Sequence, residues 1–166
     1  VAWVAPRTYV AAAVLTAAQL NETRDSLKAI GDAWTAYTPT WTSTGTAPAI
    51  GNGTLSGTYV LAGKLCIFRA TVAFGTTTTF GTGSYSLGLP TAAVSSTVVS
   101  TPAGHILQTN GYLIHGRILM GSSSAILYYV SVGTTGQLTN VSPTAPVTLT
   151  ATAGNYLHLM GVYEAA

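Results

Sequence analysis

Between Thr54 and Phe74 apolar and polar residues alternate along the chain. In Thr54–Leu61, Leu55, Tyr59 and Leu61 fall on one parity with Gly57 between them, and Ser56, Thr58 and Val60 fall on the other. A period of two is what a strand with one face in a core requires. Ala62-Gly63 then reads as a two-residue turn, with Gly63 free to take positive φ. Lys64–Phe74 is the longest alternating run. Cys66, Phe68, Ala70, Val72 and Phe74 make one apolar face, and Leu65, Ile67, Arg69, Thr71 and Ala73 make a mixed one. Such a strand belongs in the middle of a sheet or at a subunit contact. Gly51-Asn52-Gly53 and Gly75 are turn punctuation on either side. A Gly/Thr loop and another short strand complete the meander at Pro90.

Downstream, the pattern predicts strands over Ala93–Val99, Gly104–Gln108, Tyr112–Met120, Ala125–Val132, Val147–Ala151 and Tyr156–Tyr163. Ala125–Val132 is apolar at both parities and is expected to be buried on both faces. Gly133–Gly136 reads as a turn, and Pro143 and Pro146 bracket a corner. Short strands at short spacing with Gly, Pro and Thr turns predict a mainly β fold, an antiparallel β-sandwich of jelly-roll kind.

Upstream the period changes. Thr16 is a candidate N-cap for a helix running to Ile30, with Gln19 at the spacing of a capping box and Gly31 as the stop. Leu20, Leu27 and Ile30 form a single apolar stripe. So short a helix is marginal alone in water and must pack on its own domain or on copies of itself. Val1–Leu15 has no period and reads as an extended arm. Asp32–Thr46 reads as a linker whose Trp34, Tyr37 and Trp41 are packing anchors. The division is therefore arm and helix over 1–33, linker over 34–47 and β-domain over 48–166.

Composition narrows the chemistry. The chain has 166 residues, 48% of them hydrophobic and only 6% charged, against roughly 25% charged in ordinary soluble domains. Hydroxyls and backbone must hydrate its surface, as suits a protein that spends its life assembled. The net charge is +2 and the six cations are dispersed, so no nucleic-acid partner is expected. No apolar run reaches a membrane span, and Val10–Ala18, preceded by Pro6-Arg7-Thr8, reads as the approach to a helix rather than a signal-peptide core. The single cysteine, Cys66, is expected as a buried structural thiol.

The acids are Glu22, Asp25, Asp32 and Glu164, so the β-domain before its last residues has no carboxylate. Neither a carboxylate pair nor a Ser-His-acid triad can be built there. His105, His115 and His158 lie on three different predicted strands without ligand spacing. They are read as satisfied or solvent-facing, the sharper alternative being one His per subunit around a metal on an oligomer axis. No metal, cofactor or catalytic residue is assigned. Sugar stacking by Trp41, Tyr112, Tyr128 or Tyr129, with Gln108, Asn110 or Asn140 as hydrogen-bonding partners, is conceivable without defining a site.

The N-terminal run AWVAPRTYVAAAVLTAAQLNETRDSL resembles the leader of small virion proteins of tailed phages infecting actinobacteria. The matching residues are Trp3, Pro6-Arg7-Thr8-Tyr9, Leu15-Thr16-Ala17-Ala18, Leu20-Asn21 and Arg24-Asp25. YTPTW at Tyr37–Trp41, PAIGNGTLSGTY at Pro48–Tyr59, FGTTTTFGTGSYSLGLP at Phe74–Pro90 and GVYEA at Gly161–Ala165 are similar to the same proteins, usually labelled minor tail or tail-fibre proteins. The chain departs at Asn155, where the family often carries Asp. The resemblance implies a non-enzymatic structural virion protein of the tail, or alternatively a capsid head fibre or decoration. It also implies a homotrimer, with the arm docked on other virion proteins and the β-domain facing outward, free to touch host-surface glycan. The attachment and oligomer surface is expected on Trp3, Arg7 and Tyr9 and on Leu20, Arg24, Asp25, Leu27 and Ile30. A cell-wall-degrading enzyme is the third reading, which the lack of acids disfavours.

Overall fold

The computed structural model describes residues 14, 16–31, 34–95, 101–131 and 137–166. One helix, α1 (Ala17–Gly31), precedes ten strands: β1 (Thr35–Tyr37), β2 (Trp41–Ser43), β3 (Thr54–Ala62), β4 (Leu65–Ala73), β5 (Tyr85–Gly88), β6 (Ala103–Leu107), β7 (Gly111–Ile118), β8 (Ser124–Val130), β9 (Leu138–Asn140) and β10 (Tyr156–Glu164). All ten belong to a single antiparallel sheet, in the order β1-β3-β4-β10-β6-β7-β8-β5-β2, with β9 also paired to β8.

The sheet curls because its two outermost strands are neighbours in sequence. Tyr37 ends β1 and Trp41 begins β2. Four residues of chain span at most about 14 Å, so the far ends of the path are tied together. The core lies inside the curl. Cys66, Phe68, Ala70, Val72 and Phe74 are all nearly inaccessible, the face that the alternation in Lys64–Phe74 assigns to the interior. Leu157 and Leu159 lie beside them on β10, and Ile106 of β6, Ile114 and Ile118 of β7 and Leu127 of β8 belong to the same core cluster. Trp41 closes the curl, stacked on Phe74 at 5.9 Å and tilted against Tyr85 at 5.2 Å.

Several expectations are corrected. Residues 34–47 do not merely link, since they supply both edge strands, β1 and β2. The hairpin loop is Gly63-Lys64, with Ala62 paired to Leu65, one position later than expected; Gly63 does take φ 62°. Strand β8 is buried on one face only, through Ala125 and Leu127, while Tyr128 is half-buried and Val130 is 47% exposed. No strand forms over 147–151. Leu149 donates its N–H to Pro143 O at 2.8 Å, and the Thr150 N–H goes to Gln108 Oε1 at 2.8 Å, so loop partners satisfy that backbone. Ala93 makes an isolated bridge to Ala165, and residues 96–100 of the strand expected there lie outside the described residues.

The helix start is as the sequence implies. Thr16 N–H donates to Gln19 Oε1 at 2.8 Å, and Gln19 N–H donates to Thr16 Oγ1 at 3.3 Å, a reciprocal capping box. The helix lies against β3. Among the described residues, no helix is long and apolar enough to cross a membrane.

Candidate functional site

Antiparallel register stacks side chains of one parity into rows across the sheet. On the face opposite the core, one row runs Ser56 (β3), Thr71 (β4), His158 (β10), His105 (β6). The next row runs Thr58, Arg69, Met160, Ala103. The strands therefore bring together two histidines, an arginine and three hydroxyls from four separate stretches of sequence.

The contacts within these rows are specific. His158 Nδ1 and Thr71 Oγ1 are 2.9 Å apart. The His105 and His158 rings lie 5.6 Å apart, and His105 Nε2 is 3.3 Å from Tyr156 Oη. Arg69 Nε donates to Thr58 Oγ1 at 2.7 Å, and its Cζ sits 5.4 Å from the Trp34 ring centroid. One hydrogen bond and one cation–π contact thus hold the guanidinium, and among the described residues its terminal nitrogens make no hydrogen bond. Ser56, Gly57, Thr58, Arg69, Thr71 and His158 line a concavity of about 230 Å³. Partial burial, the nearby His105 and the Arg69 charge all hold His158 below the usual imidazole range.

A hydroxyl beside an imidazole is half of a nucleophilic site. Among the described residues no carboxylate stands against this imidazole. Glu164 is the only acidic side chain on the sheet, six residues beyond His158 on β10, roughly 20 Å away at strand rise. Among the described residues, no three His, Cys, Asp or Glu side chains gather as a metal site. His115 continues the second row on β7, between Ala103 and Tyr128.

The residues expected to carry attachment lie partly outside the described ones. Trp3, Arg7 and Tyr9 lie outside the described residues, as does the side chain of Ile30. Leu20 and Leu27 are 54% and 66% exposed on α1. Arg24 pairs with its neighbour Asp25 at 2.9 Å on the helix surface. The aromatics of 34–47 divide. Trp41 is core and Tyr37 packs on Tyr59, but Trp34 is 46% exposed beside Arg69. Cys66 is buried as expected, and burial raises its thiol pKa. Asn155 donates to Thr150 Oγ1 at 2.9 Å, so the amide ties the last loop to β10.

Sequence reasoning missed the His105–His158 pair and the role of Arg69. The only available signal was parity: Arg69 and Thr71 share the mixed face of their strand. Nothing local says that β10 inserts between β4 and β6. Comparison with family models, with curated proteins and with solved structures gives no match to this chain.

Proposed function

We propose that the protein is a non-enzymatic structural component of a phage particle, a tail-fibre or tip protein. It assembles as a homotrimer through its N-terminal segment and α1. The curled sheet faces outward as a sandwich-like knob that binds host-surface glycan weakly. The observation carrying the assembly is the apolar stripe of α1. Leu20 and Leu27 remain 54% and 66% exposed on a capped 15-residue helix, a length that is marginal without packing. Burying that stripe against two copies covers the apolar side chains that contact with β3 leaves exposed. The resemblance of the leader and the YTPTW and GVYEA segments to phage tail proteins supports the setting.

The non-enzymatic reading rests on the chemistry of the outer face, where among the described residues a Thr–His pair has no carboxylate to orient the imidazole. Mass measurement in dilute solution tests the assembly, and a folded 17.0 kDa monomer overturns the trimer. Locating the density on intact particles tests the placement, and density on the capsid replaces tail with head attachment. Release of reducing sugar from host cell wall above a heat-denatured control overturns the non-enzymatic reading.

A further inference from the structure

The outer-face concavity has a charge problem with one simple solution. Arg69 is held in place by Thr58 and Trp34, and among the described residues no carboxylate pairs with it. His158 lines the same concavity, and His105 lies one strand further on, its ring 5.6 Å from that of His158. A fixed guanidinium with no described carboxylate against it, and with hydroxyl donors on either side, presents the donor set that an oxyanion takes. Because Thr58 Oγ1 accepts from Arg69 Nε, its own proton is free to point outward, and Ser56 supplies a second hydroxyl at the rim.

We propose that Ser56, Thr58, Arg69, Thr71 and His158 form a binding site for an oxyanion, a phosphate or carboxylate group. The terminal nitrogens of Arg69 grip the anion, the hydroxyls complete its hydrogen bonds, and His158 contributes a proton when charged. A metal ion chelated by the imidazole pair is the competing occupant. The guanidinium lining the same concavity repels a cation, which decides for the anion. Its carrier is an acidic saccharide, whose hydroxyls match the Thr and Ser rim. That identification of the carrier rests on the surface-binding reading above, whereas the anion site itself does not.

The binding is expected to strengthen on acidification, because a bound anion favours the imidazolium. The groups facing His158 are Thr71 and the Arg69 guanidinium on β4, His105 on β6 and Tyr156 on its own strand; β3 offers only hydroxyls.

The test is titration of the full-length protein with inorganic phosphate, glucuronic acid, glucose and Zn²⁺, followed by imidazole NMR shifts and calorimetry. Phosphate or glucuronic acid should move the His158 resonances while glucose leaves them unmoved. Phosphate and glucuronic acid together separate the two anion types. Arg69→Gln should weaken anion binding about 10- to 100-fold, the equivalent of one charge-assisted hydrogen bond. Arg69→Lys, which keeps the charge without the fork, should retain part of it. His158→Gln should remove the strengthening at low pH. No response to either anion, an equal response from Arg69→Gln, or saturation by Zn²⁺ alone overturns the proposal. Host-cell binding separates the two readings: free-anion binding without cell binding keeps the site and removes the surface role. Cell binding unchanged by Arg69→Gln keeps the surface role and overturns the acidic saccharide as the carrier at this site.

Discussion

Gly57 sits directly opposite Tyr37 in the β1–β3 register, and the tyrosine ring covers it. A Cβ at Gly57 would lie 2.8 Å from ring carbons of Tyr37, which is itself wedged edge-on against Tyr59. Gly57→Ala should therefore destabilise the fold by about 1–3 kcal/mol, the usual range for overpacking. Chemical denaturation measures it, and combining it with Tyr37→Leu should give less than the sum of the two losses. A neutral Gly57→Ala would show that the ring moves freely. His158 sets a pH dependence at the same scale. Its folded pKa lies below the unfolded imidazole value of 6.5, so below that pH the unfolded state binds more protons. Stability is fully present above pH 6.5 and falls as acid approaches the folded pKa. Thermal melts of His158→Gln should decline less steeply than those of the unmodified protein over that window. Parallel slopes would remove His158 from the account.

At the level of the element, α1 and the sheet draw on different sources of order. The helix relies on local chemistry, the two reciprocal bonds between Thr16 and Gln19. Thr16→Ala should loosen the first turn by about 0.5–2 kcal/mol, seen as faster amide exchange in α1. Exchange in β4 and β10 should not change, because none of their ladder bonds involves the cap. A loss of protection spreading into β4 would mean that helix and sheet open as one unit. Strand β4 relies on its neighbours instead. It pairs along all nine residues with β3 on one side and β10 on the other, and its interior face is almost wholly inaccessible. It is the natural last strand to exchange.

For the molecule as a whole, the question is where the folding unit begins. Strands β1 and β2 close the curl, and Trp41 plugs it between Phe74, Phe80 and Tyr85. A chain starting at residue 34 keeps every strand and should fold, while losing the assembly attributed to the helix and the residues before it. A chain starting at Pro48 loses both edge strands and the Trp41 side chain, whose removal alone amounts to about 3–5 kcal/mol. It should fail to fold cooperatively. Circular dichroism and thermal melts of the two truncations decide this. Equal stability of both would mean that the closing strands are ornaments on a smaller core.

The sequence by itself determined whatever depends on neighbours along the chain. The parity of Lys64–Phe74 named every interior residue of β4, the Thr16–Gln19 spacing set the helix start, and Gly63 marked the hairpin. The missing carboxylates could likewise be read from the sequence alone. What the tertiary structure decided was pairing across long separations. Period two tells which face of a strand is apolar, but it does not say which strand lies beside it. So the insertion of β10 between β4 and β6, which sets His158 between Thr71 and His105, was not legible. Nor were β1 and β2, three residues each. Runs that short carry no period, and they become strands only because the curling sheet offers each an open edge. The stretch over 147–151 shows the converse. It alternates like a strand, yet Pro143 and Gln108 take up its N–H groups first, so no neighbouring strand claims it.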